Sequence, residues 1–178
     1  RDLVRSRGLG DVYKRQGYLR IETFSNTTYK QFKESLETLE KEGIENLIVD
    51  VRNNGGGFLN SAVEIAELFV EKGKPIYGLQ TKDKKEMYKD TTKEKRDYKV
   101  IVLINGGSAS ASEVLAAALK ESYGATLLGT KSYGKGTVQD TSELESGGMI
   151  KYTTAYWLTP KGVTINEKGC LLYTSPSP

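Results

Sequence analysis

The chain of 178 residues contains no histidine. That absence excludes a Ser-His-Asp triad within the chain and removes the commonest side-chain base and metal ligand. Cysteine occurs once, as Cys170, so no intrachain disulfide and no cysteine-rich metal site can form. No run approaches the roughly 18 apolar residues of a membrane-spanning helix. Net charge is also small, at +3. Residues 1–16 carry Arg1, Arg5, Arg7, Lys14 and Arg15 against Asp2 and Asp11, which accounts for the whole of that excess. The basic balance is thus a property of one end, and it supports no case for nucleic-acid binding.

Residues 1–16 show neither helical nor strand periodicity, and they lack the apolar core of a signal peptide. The other end, Cys170 to Pro178, breaks pattern too. Both ends resemble translated sequencing adapters. Residues 1–16 and 170–178 are therefore expected to be non-native tails, and Gly17–Gly169 to be one domain with a core of its own.

Within that stretch, strands and helices alternate. Tyr18–Phe24 is rich in β-formers. Thr28–Glu42 places Phe32, Leu36 and Leu39 on one helical stripe, with Thr27 or Thr28 at its start and Gly43 at its end. Asn46–Val51 is apolar apart from Asp50 and reads as a strand buried on both faces. A glycine-rich turn, Arg52–Gly57, leads to an amphipathic helix over Leu59–Lys72. Pro75–Leu79 is a short strand, and the charge-dense Thr81–Lys99 is expected to be a solvated edge strand or surface excursion. Val100–Ile104 is a second buried strand, and Ser112–Tyr123 an alanine-rich helix ended by Gly124. Ala125–Leu128, Thr137–Ser142 and Met149–Thr159 complete the strands. The alternation indicates an α/β layered fold.

Three segments carry chemistry. The first is Asn105-Gly106-Gly107-Ser108-Ala109-Ser110-Ala111-Ser112-Glu113, between a strand and a helix. A serine at a helix N-terminus sits where free N–H groups favour developing negative charge, which suits a nucleophile. Ser110 with Glu113 equally fits a capping box, and the segment does not choose between Ser108, Ser110 and Ser112. The second is Gly134-Lys135-Gly136, with Gln139 four residues on. Without histidine, a serine nucleophile needs a lysine base. With an ordinary pKa near 10.4, only about one lysine in 2,500 is neutral at pH 7, so burial is expected to lower it. Gln139 could orient the amine. The third is Asp50-Val51-Arg52-Asn53-Asn54-Gly55-Gly56-Gly57, whose N–H groups could form half of an oxyanion hole with Ala111 N–H. A plain turn explains it equally well, with Asp50 and Arg52 holding that turn.

Gly129 to Gly136 nearly matches the phosphate-binding pattern G-x-x-x-x-G-K-[ST]. Position 136 is glycine, so the Mg²⁺-binding hydroxyl is missing, and the following residues read as strand where a P-loop opens a helix. No nucleotide, metal or other cofactor is expected.

Together these segments resemble the carboxyl-terminal processing peptidases, the tail-specific proteases of peptidase family S41. The resemblance runs through Gly17-Tyr-Leu-Arg-Ile, the Asp50–Gly57 turn, Gly107–Glu113, Tyr133–Gln139 and Thr153–Gly162. It implies a ClpP/crotonase-like layered α/β fold, here as a partial S41 core domain. It implies that Ser110 is the nucleophile, Lys135 its base, 25 residues on, and Gln139 the lysine's support. It also implies an oxyanion hole of Gly56 and Ala111 N–H groups. Gly55 stands where the family commonly has proline, a departure expected to loosen the turn without removing a functional atom. The implied activity is serine endopeptidase cleavage of extended polypeptides near their C-terminus, in an extracytoplasmic compartment. Homo-oligomerisation of the full-length protein is compatible with it. The PDZ domain and N-terminal helical region usual in the family are not represented, so an inactive fragment is compatible too. Two other readings share parts of this pattern: an S41-like module binding hydrophobic ligands or peptides, and a crotonase-like acyl-CoA enzyme.

Overall fold

The computed structural model describes residues 4–8, 15–94 and 96–170. Among these residues nine strands form two sheets, accompanied by three α-helices. The first sheet has the order β1-β2-β3-β6-β7, built from Val4–Gly8, Gln16–Ile21, Asn46–Asp50, Lys99–Ile104 and Thr126–Gly129. β2, β3, β6 and β7 run parallel, and β1 adds antiparallel to the β2 edge. A strand at Val4–Gly8 departs from the sequence reading. Edge pairing is made by backbone groups and needs no side-chain alternation. The second sheet has the order β5-β4-β9-β8, from Lys85–Lys89, Pro75–Gln80, Met149–Leu158 and Thr137–Glu143, all antiparallel.

The parallel strands need crossovers, and helices supply them. Helix α1 (Thr28–Lys41) buries Phe32, Leu36 and Leu39, the stripe that its sequence spacing predicts. Helix α2 spans Leu59–Glu67 and buries Ala62, Ile65 and Ala66. It stops earlier than expected from the pattern to Lys72. Its last turn tightens, with Leu68 and Phe69 N–H groups bonding the carbonyls of Ile65 and Ala66. Arg96 Nη1 then takes the Leu68 carbonyl at 2.6 Å. That guanidinium also pairs with Glu40 and lies 5.8 Å over the Phe69 ring. Helix α3 covers Ala111–Ala118 and continues as a π-helical turn, Leu119–Tyr123, which ends at the left-handed Gly124.

One core lies between the helices and the first sheet, with Phe32, Phe69, Leu19, Ile21, Leu47 and Leu115 fully buried. A smaller cluster of Val114, Trp157 and Ile165 seats the second sheet on α3. The charged stretch after β4 does form an exposed edge strand, β5, whose Tyr88 stacks on Tyr77 at 4.6 Å. No helix among the described residues is long and apolar enough to cross a membrane.

Phe32 is completely enclosed and meets Phe69 edge-on at 6.2 Å. Phe32→Ala is expected to cost about 3–5 kcal/mol of stability, read from the shift of the urea unfolding midpoint at constant slope.

Candidate active site

Three loops leave the carboxyl ends of adjacent parallel strands, where open α/β sheets place their ligands. The turn after β3 follows Asp50, that after β6 begins at Asn105, and that after β7 runs from Thr130 to Gly136.

The first turn is held at its base. Asp50 is fully buried and accepts two bonds from the Arg52 side chain at 2.9 and 2.7 Å, one from Arg52 N–H, and one from Tyr18 Oη at 2.6 Å. Burial pushes the Asp50 pKa up, but the Arg52 and Tyr18 bonds outweigh it, and the net shift is downward. Asp50 and Arg52 therefore hold the turn. Asn54, also fully buried, locks its far side. Its amide donates to the Ile21 carbonyl at 2.9 Å, and its carbonyl oxygen accepts Ala109 N–H and Ser112 Oγ.

The second turn separates the three serines. Ser108 Oγ is buried and donates to the Val51 carbonyl at 2.8 Å, while Ser112 Oγ donates to the Asn54 carbonyl at 2.8 Å. Ser110 alone of the three is partly open. It stands at the N-cap of α3 with φ of 56° and ψ of −118°, a region that non-glycine residues occupy only when their surroundings force it. Its N–H is held by Glu113 Oε2 at 3.0 Å, one half of the capping box. Ala111 is the first residue of α3, so its N–H has no intrahelical partner.

Gly56 packs directly on this corner. A Cβ there would lie 2.8 Å from Ser110 Cβ, so only glycine fits the approach. Its N–H differs from expectation, because it is donated to Asn54 Oδ1 at 2.9 Å. Ala111 N–H is thus left without an intrahelical partner, while Gly56 N–H is engaged.

The third loop brings Lys135 alongside. Its N–H is accepted by the same Glu113 Oε2 at 2.9 Å. The Ser110 and Lys135 nitrogens therefore lie within about 6 Å of each other, the sum of bonds of 3.0 and 2.9 Å. Tyr133 N–H bonds the Ser108 carbonyl, and the carbonyls of Gly134 and Gly136 accept Glu167 and Trp157 N–H. A Cβ on Gly136 would come within 2.3 Å of Asn166 N. Because both flanking glycines turn inward onto Glu167 and Asn166, Lys135 turns outward and is exposed. The expected burial of this lysine is not what the structure shows. Among the described residues no hydrogen bond joins the Ser110 hydroxyl to the Lys135 amine. Gln139 lies exposed on β8, opposite Thr153 and just past a bulge, and its side chain makes no bond to Lys135 among those residues.

Cys170 is buried behind the site. Its N–H donates to Ser132 Oγ at 2.6 Å, and burial, then the nearby Glu113 charge, pushes its thiol up to about 12. It carries too little thiolate at neutral pH to act as a nucleophile. Asn54 and Ser132 are residues of this corner that the motifs did not single out, and Glu113 was read only as the partner of Ser110 in a capping box.

A serine at a strand-turn-helix corner thus stands beside a lysine loop, on a parallel sheet joined to an antiparallel one. The sequence matches Peptidase family S41 over residues 15–171. The chain belongs to that family. It is 43% identical over 156 residues to a protein of Staphylococcus epidermidis named "Probable CtpA-like serine protease", covering 86% of this chain and 32% of the relative. It is 41% identical over 154 residues to the carboxy-terminal processing protease CtpA of Bacillus subtilis, covering 86% and 33%. Among solved structures, the photosystem II D1 C-terminal processing protease superposes with a TM-score of 0.84 at 34% identity, over 89% of this chain and 42% of that one. The chain thus spans about a third of the length of these curated relatives.

The Asp50 network gives a pH signature. Its folded pKa lies below the ordinary 3.8, so its contribution is complete above that value and is lost as pH falls through the depressed one. Urea midpoints measured from pH 6 to pH 2.5 are expected to drop less steeply in Asp50→Asn than in the parent chain, with the variant already weaker at pH 6.

Proposed function

We propose that this chain is the catalytic core of a serine endopeptidase that cleaves extended polypeptides near their C-terminus. The observation that carries the reading is the corner at Ser110. Two neighbouring serines are committed to backbone carbonyls, while Ser110 is held strained and partly open at a helix N-terminus, on the same carboxylate oxygen as Lys135.

In this mechanism a neutral Lys135 amine takes the Ser110 proton as the hydroxyl oxygen attacks the scissile carbonyl. The oxyanion forms against Ala111 N–H, and Gly56 N–H joins it by sharing its bond with Asn54 Oδ1. Lys135 then protonates the leaving amine, and water, deprotonated by the same lysine, releases the acyl group from Ser110. Gln139 steadies the amine from β8. Water around an amine favours its charged form, so an extended substrate that covered Lys135 would raise the neutral fraction. An extended polypeptide laid along the free edge of β8 would cover both Lys135 and Gln139 while pairing its backbone with the sheet. Extracytoplasmic action is part of the proposal, by likeness to processing proteases.

Fluorophosphonate labelling, read by intact mass and peptide mapping, tests it. Label is expected on Ser110, absent in Ser110→Ala, and slowed about 100-fold or more in Lys135→Ala, as for loss of a general base. Unchanged labelling in Lys135→Ala would remove the dyad. Stoichiometric binding of an apolar ligand by a folded chain that never labels would instead favour the binding-module reading.

A further inference from the structure

Glu113 is fully buried in a helix whose other residues are alanine, serine, valine and leucine. Its carboxylate is saturated. Oε1 accepts Ser132 Oγ at 2.6 Å and Gly134 N–H at 2.7 Å. Oε2 accepts Ser110 N–H at 3.0 Å and Lys135 N–H at 2.9 Å. A carboxylate offers about four lone-pair sites, and here each meets a donor. The four donors come from two chain segments, one holding the serine and one holding the lysine. A helix cap alone needs only the first of them.

We propose that Glu113 is a positioning residue for the Ser110–Lys135 pair, fixing the distance between the two backbones through one shared oxygen. This rests on the reading of those residues as nucleophile and base. Oε2 holds Ser110 in its left-handed conformation, and the same atom holds Lys135. Oε1 anchors the two residues that lead into the lysine, and Ser132 passes that restraint to Cys170 N–H. Neutral glutamine cannot replace this group. Its amide oxygen satisfies one side, and its NH₂ then faces two donors on the other. Aspartate is too short by one methylene to reach both segments. A carboxylate that only stabilised the fold would act differently, lowering stability without altering the reactivity of the folded molecules.

Glu113→Gln, Glu113→Asp and the remote core variant Leu36→Ala separate the two roles. For each, the maximal rate and half-saturating concentration of fluorophosphonate labelling are measured below the unfolding temperature. Amide hydrogen exchange is followed in peptides covering 108–116 and 130–137. Folded Glu113 variants are expected to lose about 100-fold in maximal labelling rate, the scale of an ångström misplacement. Half-saturation should stay unchanged and exchange should rise at Gly134 and Lys135. Leu36→Ala, with a comparable fall in Tm, should keep the parent rate. A folded Glu113 variant that labels at the parent rate overturns the proposal, as does protected exchange in the lysine loop. Failure of both variants to fold also overturns it, since global collapse is what a merely structural carboxylate predicts. If the parent chain does not label, the reading of Ser110 as nucleophile fails, and exchange in the lysine loop decides the role of Glu113 by itself.

Discussion

Four hydrogen bonds onto one buried carboxylate hold this site in shape. Placing Glu113 in a fully enclosed position would cost several kcal/mol for an unpaired charge. The cost is offset only if every acceptor site is filled, and it is filled by donors from both active loops. The arrangement is therefore all-or-none in character. If the lysine loop moved away, two or three donors and a charge would be left bare together. Charge-assisted bonds are stronger and shorter than neutral ones, as the 2.6 and 2.7 Å contacts to Oε1 illustrate.

The surrounding fold makes that convergence possible. β3, β6 and β7 are neighbours and parallel, so the loops after them emerge side by side at one edge of the sheet. Helix α3 starts from the central one and runs beneath both sheets, tied to the second by Val114 against Trp157 and Ile165. Asn54 and Ser108 then stitch the β3 turn to the β6 turn through the carbonyls of Asn54 and Val51. Strain at Ser110, of the order of 1–3 kcal/mol for a left-handed non-glycine residue, persists because these bonds over-determine its position.

Most of the layer order was legible in the sequence, because burial period and strand runs are local. Phe32, Leu36 and Leu39 marked α1, and the apolar runs marked β3 and β6 as strands, although burial alternates along both and the expected burial on both faces is not found. Ends were less legible. α2 stops at Glu67, and the next carbonyl is taken by Arg96, a partner almost 30 residues away that no local pattern encodes. Ser110 was singled out from its neighbouring serines only by the family resemblance, while the serine and lysine loops were readable from their glycines. Their coupling was not, since Glu113 looks like an ordinary capping residue until the lysine loop folds onto it. The burial of Lys135 was inferred from the chemical need for a neutral amine. The structure instead buries the flanking glycines and leaves the lysine outside.

That last difference bears on how such a site could work. The Ser110 corner, Ala111 N–H and the lysine backbone are preorganised, so on the proposed reading attack would need little backbone rearrangement. What is not built in is a dry environment for the amine, nor a free Gly56 N–H. On the proposed reading, a covering strand would remove water from the amine, and a developing oxyanion would compete with the neutral Asn54 amide oxygen for the Gly56 proton. Charge-assisted acceptance favours the oxyanion in that competition. On the proposed reading the backbone geometry is stored in the fold, and a bound polypeptide would add to it by excluding water and so raising the neutral fraction of the amine.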